Sequence, residues 1–231
     1  MRFLPLSLRR AQALLLTALA ALIVQGGRVS GAGPEAVVWN IDSLEQVGGH
    51  AARVLGHPRV IDTARGKAVL FNGVDDAIFL DFHPLAGAET WTWEVLFRPD
   101  SGGAEEQRFF HFQEAGTQNR MLFEIRVLGP EGGKGWCLDS YAMGGSGLTL
   151  LDRAKLHSMD QFHWAEAVYD GRELRNYVDG VLQGRGDVRL QPQKAGGTSL
   201  GVRYTKVNYF KGAIAKARMT PRPLTVEEFL K

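Results

Sequence analysis

Residues 162–183, Phe-His-Trp-Ala-Glu-Ala-Val-Tyr-Asp-Gly-Arg-Glu-Leu-Arg-Asn-Tyr-Val-Asp-Gly-Val-Leu-Gln, constrain the fold more than any other stretch of this chain. Two Asp-Gly pairs, Asp170-Gly171 and Asp179-Gly180, stand nine positions apart with alternating apolar runs on either side. A type I′ turn needs positive φ at both central residues, so each pair predicts a two-residue hairpin and the stretch predicts a three-stranded antiparallel meander. The same period of two recurs elsewhere. Residues 90–99 put Trp91, Trp93, Val95 and Phe97 on one face and Thr92, Glu94, Leu96 and Arg98 on the other. Comparable runs lie at 67–72, 77–82, 108–113, 121–128, 135–142, 198–204 and 211–219. Only 224–231, opened by Thr225 with Glu227 and Glu228 in its first turn, reads as a helix. Many short strands without a long amphipathic helix exclude a parallel α/β architecture. They predict an all-β protein, two packed antiparallel sheets enclosing Trp93, Phe97, Leu122, Ile125 and Tyr177, with a short C-terminal helix.

The 162–183 stretch closely resembles the signature of laminin-G-like jelly-roll domains, in the concanavalin-A-like lectin/glucanase superfamily. There an aromatic-His pair, a strand ending Tyr-Asp-Gly and a strand reading Leu-x-x-Tyr-Val-Asp-Gly follow in this order. Leu-Phe-Asn-Gly-Val-Asp-Asp-Ala-Ile at 70–78 resembles the early strand-turn-strand element of these domains. Trp-Thr-Trp-Glu-Val-Leu-Phe-Arg-Pro at 91–99 is similar to their central strand, and 210–214 with 224–229 to the last strand and closing helix. The resemblance implies a two-sheet jelly roll over residues 33–231. It leaves function open, since the superfamily hosts lectins, adhesive modules and enzymes.

Arg2, Arg9 and Arg10 precede an apolar run from Ala11 to Val24, and Ser30-Gly31-Ala32 follows. A basic start, a short apolar core and a small-residue exit predict a signal peptide over residues 1–32 and a protein secreted or periplasmic after cleavage. The fourteen-residue run falls short of the about 20 residues of a membrane span. Cleavage removes four arginines and no acid, taking the formal charge from +2 to −2. A near-neutral chain with both signs interspersed lacks the concentrated basic face of a nucleic-acid binder. Cys137, the single cysteine, lies in a strand-like run and reads as a small buried hydrophobe.

Glu94, His111, Glu124, Arg126, Asp139, Tyr141 and Glu166 occupy polar phases on successive predicted strands. If the phases coincide, they form one ligand-binding patch across one sheet. Acids beside Arg126 and His111 suit sugar hydroxyls, or general acid–base work in which Glu124 and Glu166 would be the catalytic pair. The bland alternative is a solvated face with cross-strand ion pairs. The resemblance sharpens one point: Glu166 stands where the family usually keeps a small apolar residue. The Glu-x-Asp-x-(x)-Glu run of family 16 glycosidases is absent. Asn72, Asp75 and Asp76 offer hard oxygen ligands in one turn, as calcium requires, although such a turn also caps its own backbone. No other cofactor is indicated. The expectation is an exported, non-catalytic module binding a glycan, a polysaccharide or a cell-surface protein. Its rivals are a carbohydrate-active hydrolase or lyase and a structural adhesive module.

Overall fold

The computed structural model describes Met1, residues 35–129 and residues 133–231. The signal-peptide expectation therefore lies outside the described residues, Met1 aside. Two antiparallel sheets carry the fold. Sheet I runs β15 (Val181–Asp187), β14 (Glu173–Val178), β13 (His163–Tyr169), β8 (Trp91–Pro99), β17 (Lys211–Thr220), β6 (Gly66–Asn72), β5 (Arg59–Thr63), with β1 (Val37–Asn40) also paired to β17. Sheet II runs β12 (Ser146–Leu151), β11 (Gly135–Gly144), β10 (Arg120–Leu128), β9 (Glu106–Glu114), β16 (Gly196–Leu200), β7 (Ala77–Leu80), β4 (Arg53–Leu55). A small hairpin, β2 (Gln46–Val47) with β3 (His50–Ala51), stands apart.

The inner faces meet in one aromatic core. Trp93 stacks on Phe123 and Phe97 on Phe109, each with ring centroids 4.0 Å apart, and Ile125 is fully buried beside them. A bulge in β9 opposite Phe123/Glu124 turns both Phe109 and Phe110 inward, so the alternation resets and Arg108 and His111 both face outward. A second bulge, at Ile214/Lys216 in β17, resets that strand and places Arg218 outward opposite Glu94.

Four expectations are corrected. Leu122 and Tyr177 do not join the core. Leu122 takes the outward phase between Met121 and Phe123, and Tyr177 packs outside sheet I against Val168, Leu224 and Phe229. The Asp170-Gly171 connection is a three-residue loop, because the Asp170 carboxylate accepts the Arg172 and Glu173 N–H groups at 3.0 and 2.8 Å and φ is positive at Gly171 alone of the pair. Asp179-Gly180 is the expected two-residue turn, with φ of 51° and 75°. The glycine-rich segment at 144–147 forms the tight link between β11 and β12. The C-terminal element is a single 3₁₀ turn, Val226–Glu228, opened by the Thr225 N–H donating to Glu228 Oε2 at 2.9 Å.

Candidate functional site

The seven expected site residues do not form one patch. β8 and β13 belong to sheet I, whereas β9, β10 and β11 belong to sheet II, so Glu94 and Glu166 lie on one outer face and the other five on the opposite one. Successive strands carried the same polar phase, but the chain crosses between sheets after β8 and again after β12. Nor are these faces openly solvated: Glu94, His111, Glu124, Asp139 and Glu166 are all buried.

On sheet II the outward side chains form a grid. Tyr141, Leu122 and His111 stand in one row, and Asp139, Glu124 and Arg108 in the next; Arg126 follows beside Glu106. Arg126 binds Asp139 Oδ2 through Nε at 2.7 Å and Nη2 at 2.6 Å, and also pairs with Glu106. Arg108 Nη2 reaches Glu124 Oε2 at 2.9 Å. Burial lifts Glu124 above the usual carboxylate range, against the pull of Arg108. Arg120, one row beyond, lies over the Tyr141 ring with its guanidinium carbon 4.6 Å from the centroid. His111 Nδ1 accepts the Tyr204 N–H at 2.8 Å. Burial, reinforced by Arg203, Arg120 and Arg108, pushes this histidine down to about 3, so it is neutral and carries its proton on Nε2.

Several polar atoms of this face have no partner within the protein: Arg108 Nε, Arg120 Nε, Arg203 Nε, His111 Nε2 and Asp139 Oδ1. Buried polar atoms are nearly always satisfied, so five together mark a cluster whose donors and acceptor call for bridging water or a side-chain adjustment. A groove of about 460 Å³ opens at Arg203, lined also by Gln113, Glu114, Gly197 and Tyr204, a size that suits a small organic ligand. Its floor needs glycine. A Cβ on Gly196 would collide with the Gln113 carbonyl, and one on Gly197 with the Tyr204 hydroxyl.

On sheet I the outward row is Tyr177, Glu166, Glu94, Arg218. Glu94 is wholly enclosed; it receives both Arg218 Nε and Nη2 and the Leu230 N–H, the last at 2.7 Å. Glu166 Oε1 accepts the Gly180 N–H at 3.2 Å and Oε2 has no partner. Burial first, then the carboxylates of Asp179 and Glu94, raise Glu166 to about 9, so it is protonated at neutral pH. Asp179 is itself occupied, accepting the Trp164 N–H at 2.8 Å and His163 Nδ1 at 2.7 Å. His163 thus fixes the β14–β15 turn.

A family profile of the concanavalin A-like lectin/glucanases superfamily, laminin-G type, matches residues 72–229. The chain belongs to that family. Domain 4 of an extracellular arabinanase from Geobacillus stearothermophilus, solved with arabinotriose, superposes with a TM-score of 0.61 at 18% identity, covering 83% of this chain and 94% of that one. The receptor-binding domain of a botulinum neurotoxin C/D mosaic matches at 0.61 and 10% identity over 84% of this chain and 49% of its own. A heptameric pentraxin from Limulus polyphemus matches at 0.54 and 15% identity, over 70% and 78%. At such identities these neighbours establish the jelly roll alone. A search of curated protein sequences returned no match.

The laminin-G-like turn at Asn72 spends its oxygens on its own backbone. Asn72 Oδ1 accepts the N–H groups of Val74, Asp75 and Asp76 at 2.8, 3.1 and 3.2 Å, and Asn72 Nδ2 donates to Asp75 Oδ1 at 2.7 Å. Asp76 accepts the Asn72 and His57 N–H groups at 2.9 and 2.6 Å. Among the described residues no cluster of three or more His, Cys, Asp and Glu is placed to hold a metal ion. Trp136, near a glycine-rich segment, is core, its indole N–H donating to Ser158 O at 2.9 Å, whereas Tyr141 and Tyr204 stay half-buried at the sheet II face. Sequence reading passed over Arg108, Arg120 and Arg203. Arg120 shares the phase of Leu122 and was legible; the β9 bulge hid Arg108, and Arg203 lies in a loop without periodicity.

Proposed function

We propose that this protein is an exported, non-catalytic glycan-binding module whose site is the outer face of sheet II around Tyr141, Arg120, Arg203 and His111. The observation that carries the reading is a half-buried aromatic ring braced by arginine, Tyr141 under Arg120, on a polar sheet face beside the groove at Arg203 and Tyr204. A sugar offers hydroxyls that both give and accept hydrogen bonds, and a ring face that packs on Tyr141. The carboxylates argue against chemistry. Glu124 and Asp139 are clamped by Arg108 and Arg126, and Glu94 by Arg218. Each is committed to an ion pair within the protein. The arabinanase domain solved with arabinotriose supports a saccharide as a ligand class this fold can take.

Glycan-array binding by the full chain tests the proposal. Tyr141→Ala and Arg120→Ala should each weaken binding by about ten-fold, on the order of 1.4 kcal/mol, with the far-ultraviolet dichroism unchanged. No binding across a broad polysaccharide panel, arabinan included, would remove the glycan reading and leave a protein partner on a cell surface. Export has its own check. Intact mass of protein recovered from the medium or periplasm should correspond to a chain starting at Gly33, and an uncut chain held in the membrane would contradict it.

A further inference from the structure

We infer that the groove between the outer face of sheet I and the closing segment is a second binding site, one that takes a ligand bearing a primary ammonium on a short carbon skeleton. The groove measures about 440 Å³ and is lined by Trp164, Glu166, Asp179, Val226, Phe229 and Leu230 among others. That volume is within the range of sites for small organic ligands. Its walls are aromatic and aliphatic. At its base sits a glutamate that is 1% exposed, with one carboxyl oxygen lacking any partner in the protein.

The charge pattern selects the ligand. Glu166 faces Asp179 in the β14–β15 turn and Glu94 on β8, whose charge Arg218 on β17 matches; Tyr177 stands beside it on β14. Exposed Glu227 from the 3₁₀ turn adds an acid at the mouth. Arg65 from the β5–β6 turn and Lys231 also line the groove, yet neither forms an ion pair with Glu166. An anion would enter against Asp179 and Glu227. A neutral ligand would leave that field unused. An ammonium satisfies the orphan oxygen, offsets the acids and packs against the faces of Trp164 and Phe229. On binding, Glu166 gives up its proton to solvent and pairs with the ammonium as a carboxylate.

This site is independent of the sheet II proposal, because no residue is shared and the faces are opposite. Two ammonium sources are distinguished by titration calorimetry on the full chain at pH 7.5. One arm uses Nα-acetyl-lysine amide against Nα-acetyl-norleucine amide, the other deacetylated chitobiose against its N-acetylated form. In at least one arm the ammonium probe should bind about ten-fold tighter than its neutral counterpart. In the lysine arm, whose ammonium is already charged at this pH, titrations in phosphate and Tris should report about one proton released per site. Glu166→Gln should abolish both the preference and the proton release. Glu227→Lys, on an exposed residue where folding is not at stake, should weaken ammonium binding several-fold while leaving array binding through sheet II intact. Equal binding of neutral and ammonium probes, no binding of either ammonium probe, or binding unchanged in both variants would overturn the inference.

Discussion

Glu166→Gln is expected to stabilise the protein, and by more the higher the pH. The folded state holds the Glu166 proton up to about pH 9, whereas the unfolded chain releases it near 4.5. Between those values the native state binds more protons than the unfolded one, so unfolding releases a proton and stability falls as pH rises. The whole penalty is absent below 4.5 and complete above 9. Glutamine keeps the shape of the protonated side chain and can still accept the Gly180 N–H, but it cannot ionise. Urea unfolding of both proteins should give equal stabilities near pH 4.5, within about 0.5 kcal/mol, and a gap of about 3 kcal/mol in favour of the variant at pH 7. Other titrating groups contribute alike to both chains and cancel in the difference. Parallel profiles from pH 4.5 to 9 would show that Glu166 does not hold its proton in the fold.

A stabilising substitution at a buried acid is informative because it marks a position where stability is sacrificed, and such positions concentrate at functional sites. The sequence already singled out Glu166 as a departure from a family pattern. What it concealed was the neighbourhood. The two-residue turn at Asp179-Gly180 and the strict alternation of β8 were legible because backbone φ and pleat phase are local properties. Sheet membership is not local. Nothing in the alternation of 108–113 or 121–128 says that the chain has crossed to the other sheet after Pro99, so Glu94 and Glu124 were placed together although they lie on opposite faces. Bulges add a second blind spot. Phe109 and Phe110 both face inward, which simple alternation forbids, and Arg108 was lost from the site for that reason. Tyr177 was assigned to the core because the closing segment that covers it (Leu224 and Phe229) is about fifty residues away in sequence, a contact that no periodicity announces. The apolar residues of 224–230 are in turn held by side-chain and backbone contacts to Glu94, Thr92 and Arg218 rather than by helix propensity, which is why one 3₁₀ turn stands where a helix was expected.

Arg218→Met should therefore damage the fold well beyond its own position. The guanidinium lies flat against Glu94 through two donors and also gives a hydrogen bond from Nη2 to Glu228 O at 2.7 Å, while Glu94 Oε1 takes the Leu230 N–H. These contacts tie β8, β17 and the closing segment together. Glu94 is 0% exposed, so removing its counter-charge leaves a carboxyl with no access to water. Breaking one side of such a pair costs about 3–5 kcal/mol, against about 0–1 kcal/mol for an exposed pair. Methionine retains the aliphatic stem of the side chain, which confines the loss to charge and hydrogen bonding. The double variant Glu94→Gln, Arg218→Met should recover most of the stability, because the cost lies in the orphaned acid rather than in the missing pair. It should not restore the closing segment, whose Glu228 carbonyl has still lost its donor. Hydrogen exchange at Leu230 should accordingly stay fast in the double variant while the global unfolding midpoint returns towards that of the parent. If the single variant loses less than about 1 kcal/mol, the pair behaves as a surface ion pair and the enclosed geometry of Glu94 is wrong.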